Sequence, residues 1–306
     1  MGLVGRRPPG AGDLKALFLI NARSGARKRY DLEALIRDTC SWTGYQLSLC
    51  ERKEDLDELI DAAERDGHEV IYAVGGDGTV HEIAKRLAGR ALALGILPTG
   101  SGNGLARHIG VPVDPRRALA ACAAGRVMQV DMGEVNGTKF AGVMGIGLDA
   151  EVAHRFHTSA VRGMKTYLRE GFRAYRQHRA DELTITIDGE TIRRPAFVLA
   201  IANSAQYGNG AVIAPGASMT DGLLDVILIE PVSLPRAAIL LTRLFAGTLP
   251  RSGAVIHRQG REITIVRREA GPAHLDGEPV TLAQELRIRV HPGALRLLVP
   301  DAGGRL

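Results

Sequence analysis

The sequence predicts an α/β domain with a mostly parallel sheet followed by a β-rich domain. Three observations carry this. The chain has 306 residues, and single cores divide beyond roughly 250–300 residues, so two domains are expected. Up to about residue 130, apolar strand-like runs alternate with amphipathic helical stretches. Beyond it, the texture changes to short alternating runs broken by turn dipeptides.

In the first part, Lys15–Asn21 and Gly44–Cys50 read as strands, and 27–40 and 53–66 as helices. The runs 69–74 and 91–97 read as two further strands, each entering a glycine-rich turn. Strand and helix in alternation imply βαβ units, whose ligands sit at the carboxyl ends of the strands. In the second part, 183–187, 192–201, 223–229, Glu262–Val266 and 286–290 alternate in the strand period. Asp188-Gly189 and Asp276-Gly277 mark hairpin turns between them. The expected boundaries are 1–130 for the first domain and 131–291 for the second, with 292–306 returning to complete the first. The run 294–299 fits either domain by pattern alone.

A hydrophobic share of 45% and a charged share of 24% are those of an ordinary globular protein, which excludes wholesale disorder and fibrous classes. Cys40, Cys50 and Cys122 are odd in number and lack metal or disulfide spacing, so a reducing cytoplasm is the expected setting. Residues 1–13 read as a frayed leader, since the apolar run after them is too short for a signal-peptide core. No stretch reaches about 18–20 uninterrupted apolar residues, so membrane contact is expected to be peripheral. The net charge of +5 suits an acidic partner. Aromatic residues at 4% offer no stacking platform for nucleic acid. The nine histidines are dispersed and make no metal site.

The first chemical signal is Val74-Gly75-Gly76-Asp77-Gly78-Thr79, a buried strand running into glycines, with a helix expected from near Thr79. Glycines let backbone amides approach phosphate oxygens, and a helix N-terminus adds partial positive charge. Asp77 would repel a bare phosphate, so it fits a magnesium-bound one; the structural alternative is a capping aspartate in a tight turn. Pro98-Thr99-Gly100-Ser101-Gly102-Asn103-Gly104 forms a second such turn. Asn21-Ala22-Arg23-Ser24-Gly25, leading to Arg27 and Lys28, forms a third, with cations suited to phosphates.

At this point the chain resembles the diacylglycerol kinase catalytic-domain family, which includes sphingosine kinases and bacterial lipid kinases. The resemblance rests on the 21–25 turn, Gly75-Gly76-Asp77-Gly78-Thr79 with His81-Glu82, and Gly100-Ser101-Gly102-Asn103. It continues through 145–149, Ala214-Pro215-Gly216, 221–225 and Asp276-Gly277-Glu278-Pro279, in the family's order and over nearly the whole chain. It implies an NAD kinase/diacylglycerol kinase-like α/β domain with a C-terminal β-sandwich. It further implies that ATP is bound by Asn21, Gly75, Gly76, Asp77, Gly78, Thr79, Val80, His81, Ser101 and Asn103. Glu278 is then the proton acceptor, Asp276 its support, and Asp77 the organiser of Mg²⁺ on ATP. A structural Mg²⁺ in the second domain takes the side chain of Asp221 and the carbonyls of Ser218 and Leu223. Asp149 meets the polar head of the acceptor or, alternatively, caps a helix.

Two positions depart from the family pattern. Ala22 stands where many members have proline, and Gly104 where diacylglycerol kinases place an aspartate. The acceptor is therefore left open among diacylglycerol, sphingoid bases and other lipid alcohols. Between Arg155 and Arg179 the basic residues Arg155, Arg162, Lys165, Arg169, Arg173, Arg176 and Arg179 face a single acid, Glu170. Val161, Met164, Leu168, Phe172 and Tyr175 recur at helical spacing, giving either a helix for an anionic membrane surface or a core-packed helix with a basic outer face. The apolar stretch 237–249 covers a lipid-tail pocket or packs on a sheet. The implied activity is ATP-dependent phosphorylation of a lipid hydroxyl. An NAD kinase shares the 75–79 turn but not the Asp276-Gly277-Glu278 element, and a non-catalytic membrane-binding regulator would not need these acids intact. Oligomeric state is open, a homodimer included.

Overall fold

The computed structural model describes residues 15–22, 31–39, 44–158, 164–178 and 180–301. They fall into two compact units, Met1–Gly100 with Ile109–Gln129 and Leu295–Arg305, and Ser101–His108 with Val130–Ala294. The short segment 101–108 thus groups with the second unit, which no change of sequence period announces.

The first unit is built on β1 (Lys15–Asn21), α1 (Leu32–Thr39), β2 (Gly44–Cys50), α2 (Leu56–Arg65), β3 (Val70–Gly75), α3 (Asp77–Leu87) and β4 (Ala93–Pro98). The strands run in the order β2-β1-β3-β4, all parallel. Arg296 and Leu297, near the end of the chain, add a further parallel strand beside Ala93 and Leu94. All six residues of β3 and all six of β4 are buried, as helix-covered parallel strands require. Phe18 stacks on Tyr72 at 4.5 Å between ring centroids, tying β1 to β3. Of the expected helix 27–40, the residues 27–30 and 40 lie outside the described ones. The expected helix 53–66 opens as a single 3₁₀ turn, Lys53–Asp55, before α2.

The 101–108 segment carries α4 (Gly104–His108), and α5 (Pro115–Ala123) returns to the first unit. The chain enters the second unit within β5 (Arg126–Val135), at Val130, and continues through β6 (Thr138–Phe140), β7 (Val143–Gly147), α6 (Leu148–Thr158), α7 (Met164–Gln177), β8 (Asp181–Ile187), β9 (Glu190–Ala196), β10 (Val198–Ala202), β11 (Gln206–Gly208), β12 (Ala211–Val212) and β13 (Leu224–Ile229). It closes with α8 (Leu234–Phe245), β14 (Val255–Gly260), β15 (Glu262–Val266), β16 (Gly271–Leu275), β17 (Glu278–Leu282) and β18 (Glu285–Val299). One antiparallel sheet has the order β14-β13-β10-β7-β16-β17; the other layer runs through the first part of β18, then β15, β8 and β9. Their facing side chains, among them Met144, Ile146, Leu199, Ile201, Ile185, Ile263 and Ile288, form one core, the arrangement of a β-sandwich.

The expected run 192–201 is two strands. β9 is largely exposed and pairs with β8, whereas β10 is fully buried between β7 and β13, so the chain changes sheets at Phe197. The runs 286–290 and 294–299 are one strand, β18. The break that Pro292-Gly293 suggests is bridged because Gly293 N donates to the Asp131 carboxylate at 2.8 Å.

Candidate active site

In the first unit, β3 delivers the chain to Gly75 and α3 starts at Asp77, two residues earlier than the sequence suggests. The N-cap is Gly76, in extended backbone, and no side chain caps the helix, so Asp77 is not the capping residue. A Cβ on Gly75 would lie 2.3 Å from Thr79 Oγ1, and that hydroxyl accepts from Asn21 Nδ2 at 2.9 Å. A Cβ on Gly76 would come within 3.2 Å of Gly100 Cα, and Thr99 N donates to Gly75 O at 2.9 Å. The ends of β1, β3 and β4 therefore meet around a bare helix N-terminus, where backbone amides and the helix dipole favour an anion. Val80 and His81 are buried in the following turn of α3. Burial pushes the Glu82 carboxyl up, but hydrogen bonds from Lys85, Arg86 and Lys53 outweigh it and hold it at about 2. Glu82 thus anchors α3 to the chain before α2. The basic part of the 21–25 turn, from Arg23 on, lies outside the described residues.

In the second unit, Ser101 is exposed and Asn103 is buried with φ of 54°, bridged to Gly208. A Cβ on Gly104 would sit 2.8 Å from the carbonyl oxygen of Tyr207. Gly104 is accordingly a packing requirement: an aspartate there has no room beside β11. Burial drives His108 down to about 4, and its Nδ1 accepts from Ala205 N at 3.1 Å as a neutral ring.

Asp276 and Gly277, with φ of 52° and 84°, make the two-residue turn between β16 and β17, and Glu278 opens β17, half-buried, opposite Leu275. The Asp276 carboxylate accepts from the amides of Gly142 (2.7 Å), Ala141 (3.0 Å) and Val143 (3.0 Å). At the other end of the hairpin, the buried guanidinium of Arg267 donates to the carbonyls of Leu282 (2.6 Å), Gly271 (2.9 Å), Pro272 (3.1 Å) and Ala283 (3.1 Å). The hairpin that presents Glu278 is stapled at tip and base.

Asp149 lies in the first turn of α6 and does not occupy the N-cap. Its Oδ2 accepts from Tyr207 Oη at 2.9 Å and faces His274 Nε2 at 3.2 Å. Gly277 N approaches His274 Nδ1 at 3.4 Å; with that nitrogen accepting, Nε2 carries the proton toward Asp149. A Cβ on Gly145 would fall 1.9 Å from Asp149 Oδ2, so the glycine leaves the space this cluster fills. His274 and Tyr207 were not singled out from the sequence. For His274 a signal existed, its place two residues before Asp276 in a strand; for Tyr207 there was none.

Asp221 Oδ1 accepts from Leu223 N at 3.0 Å, and Ser218 Oγ lies 3.2 Å from Thr220 Oγ1. Asp221 lines an open pocket with Asp131, Glu262, Arg261 and Arg289. Burial, then the negative charges of Asp225 and Asp131, raise its carboxyl. Asp131, also missed from the sequence, spends its two oxygens on Gly222 N (2.7 Å) and Gly293 N (2.8 Å). Among the described residues no cluster of three or more His, Cys, Asp or Glu could hold a metal. Of the three residues expected to hold a structural cation, Asp221 lines this pocket, together with two arginines, whereas Ser218 and Leu223 are not among its lining.

On α7, expected either to meet an anionic membrane or to pack on the core with a basic outer face, Phe172 is 50% exposed while Ala174 is buried and Tyr175 Oη donates to Val232 O at 2.8 Å. Arg169, Arg173 and Arg176 are exposed. Val161 and Arg162, the side chains of Met164, Lys165, Leu168 and Glu170, and Arg179 lie outside the described residues. No described helix is long and apolar enough to cross a membrane.

Residues 15–135 match the model of the diacylglycerol kinase catalytic domain, and residues 142–299 that of the YegS C-terminal NAD kinase beta sandwich-like domain. A protein of Pseudomonas fluorescens named probable lipid kinase YegS-like is 30% identical over 292 residues, 94% of this chain and 96% of its own. One of Salmonella arizonae, named probable lipid kinase YegS, is 33% identical over 262 residues, 81% of this chain and 84% of its own. A solved diacylglycerol kinase from Bacillus anthracis shares the fold with a TM-score of 0.69 at 19% identity, over 94% of this chain and 97% of that one. An NAD kinase from Archaeoglobus fulgidus solved with ATP shares it more distantly, with a TM-score of 0.52 at 13% identity over 94% of each chain. The paired domains and the relatives that span nearly the whole chain place this protein in the diacylglycerol kinase catalytic-domain family, with the YegS-like kinases, as a phosphotransferase whose acceptor group is an alcohol.

Proposed function

We propose that the protein transfers the γ-phosphoryl group of ATP to the hydroxyl of a membrane lipid, such as diacylglycerol or a sphingoid base. The observation that carries this is the bare start of α3, where Gly75 and Gly76 leave backbone amides and a helix N-terminus without a side-chain cap. The phosphates of ATP suit that turn, with Asn21 orienting Thr79. Gly78, Val80, His81, Ser101 and Asn103 complete the nucleotide-binding set. Mg²⁺ supplies charge neutralisation of the phosphates, and Asp77 is the residue to hold it.

Phosphoryl transfer needs positioning and charge neutralisation more than covalent help from the protein. Glu278 takes the proton of the acceptor hydroxyl. Asp276 acts as a positioning residue, because its carboxylate is committed to the amides of Ala141, Gly142 and Val143. Asp149 meets the polar head of the acceptor, its carboxylate set by Tyr207 and His274. A second, structural Mg²⁺ belongs at Asp221, with the carbonyls of Ser218 and Leu223. The names of the relatives from Pseudomonas and Salmonella support a lipid acceptor over NAD. An anionic membrane surface fits the exposed Arg169, Arg173 and Arg176 of α7.

Purified protein given labelled ATP with mixed lipid micelles or with NAD tests the reading. Label in the lipid fraction, dependent on Mg²⁺, is expected; label in NAD alone rejects it in favour of an NAD kinase, and no ATP consumption with any acceptor favours a non-catalytic membrane regulator.

A further inference from the structure

α8 packs against the sandwich with one side only. Leu240 is buried and Leu244 partly so, in a cluster with Val198, Ala200, Ile227 and Leu249. The opposite side is apolar where a surface helix is ordinarily polar. Leu234, Ala238, Leu241 and Phe245 are all exposed, Leu234 by 47% and Phe245 by 38%. They recur at i, i+4, i+7 and i+11, one continuous stripe along the helix. Ile239, 53% exposed, lies roughly 100° further round, beyond Thr242 and Pro235, and extends the exposed arc toward Arg243 and Arg236.

The charge around this stripe selects what covers it. α8 itself contains no aspartate or glutamate, but two arginines, Arg236 and Arg243. A second copy of the chain laid on the stripe would bring these like charges together. An anionic bilayer would neutralise them while accepting the apolar side chains. Arg236 and Arg243 lie next to Ile239, at the end of the exposed arc farthest from Leu241, and have aliphatic stems long enough to reach along that edge while their guanidinium groups stay at the phosphates.

We propose that α8 is a bilayer-contacting helix, its exposed arc from Leu241 through Leu234, Phe245 and Ala238 to Ile239 entering an anionic lipid surface and Arg236 and Arg243, at the Ile239 edge, pairing with the headgroup phosphates. It deepens the lipid-kinase reading, on which its purpose rests, by naming a place where the protein meets the membrane that holds its acceptor. α7, whose Tyr175 donates to Val232 O just before α8, packs on the same cluster and carries its own basic residues. The α8 contact requires only partial insertion, to a depth of roughly 5–10 Å.

Cosedimentation of the full-length protein with vesicles of phosphatidylcholine alone, or with added phosphatidylglycerol, tests this without turnover. Wild-type protein is expected on the anionic vesicles and to be released by salt. Leu241→Glu with Phe245→Glu is expected to weaken partitioning by more than about tenfold, because two apolar contacts become two repelled charges. Arg236→Gln and Arg243→Gln are each expected to weaken it about fivefold. The glutamate pair and both arginine variants should melt as the wild type does and phosphorylate a short-chain, water-dispersed acceptor at the wild-type rate. Should the glutamate pair melt early, Phe245→Ala and the arginine variants carry the test.

Undiminished vesicle binding in these variants overturns the proposal. So does a concentration-dependent dimer, seen by light scattering, that the glutamate pair abolishes, since a second copy would then cover the stripe. Failure to phosphorylate any dispersed lipid, with vesicle binding intact, would instead refute the lipid-kinase reading and leave the docking helix standing.

Discussion

Asp276 and Glu278 stand two residues apart in one hairpin, yet their surroundings give them different parts. Asp276 accepts three backbone amides and has little capacity left to move a proton. On the proposed reading the acceptor's proton goes instead to Glu278, half-buried at the start of β17. Replacing Glu278 by Gln is expected to lower kcat by about 10²–10⁴-fold, the usual share of a general base, and leave the melting temperature unchanged. Asp276→Ala strands three buried amides and is expected to destabilise the protein by roughly 2–4 kcal/mol, seen as early melting in denaturant. Near-normal turnover in the first variant would reject the base, and unchanged stability in the second would reject the staple. Asp149 shows how little of such a cluster a sequence discloses. Its partners Tyr207 and His274 lie 58 and 125 residues away along the chain, and only the pairing of β7 with β16 brings His274 beside Gly145.

At the scale of the element, α3 is the best-read part of the molecule. A buried strand, two adjacent glycines and a helical pattern sit within a dozen residues, so local conformation alone prescribes the turn. Its ionic anchoring was not legible, because Lys53 reaches Glu82 from 29 residues away. The Glu82 carboxyl sits at about 2, below its ordinary 4.5, so the ion pairs stabilise the folded state above about pH 5. That stabilisation is lost as the pH falls from about 4.5 toward 2. Glu82→Gln is therefore expected to cost about 2 kcal/mol near neutral pH, after allowance for solvent screening, and to flatten stability over that acidic window. An unchanged acid limb in denaturant melts of the variant would rule this out. The other departures are also elements whose limits depend on distant pairing. β9 and β10 follow one another without a turn dipeptide, although β9 carries Arg193, Arg194 and Pro195, and they separate because each finds a different sheet.

At the scale of the whole molecule, neither unit is a single stretch of chain. The first takes 1–100, 109–129 and 295–305, and the second takes what lies between. The fully buried β4 is therefore flanked by a strand contributed from the far end of the sequence, at Arg296 and Leu297. A fragment ending at residue 130 lacks that strand and leaves an apolar edge open to other chains. It is expected to aggregate or to melt without a cooperative transition, whereas the same fragment with 285–301 appended by a flexible linker should regain one. Cooperative melting of the unappended fragment, followed by circular dichroism, would show that the returning strand is dispensable.

The amino-acid order by itself determined the two fold classes, the parallel strands of the first unit, the glycine turns and the hairpin at Asp276-Gly277. Each of these is specified by periodicity or backbone conformation within about ten residues, where local sterics and burial act directly. Only the tertiary structure decided that Gly104 is a packing glycine, that Asp276 is a staple, that Asp131 ties Gly222 to Gly293, and that His274 and Tyr207 surround Asp149. Those outcomes depend on which strands become neighbours. That choice is made by burying apolar faces across the whole sheet, and no short segment carries a record of it.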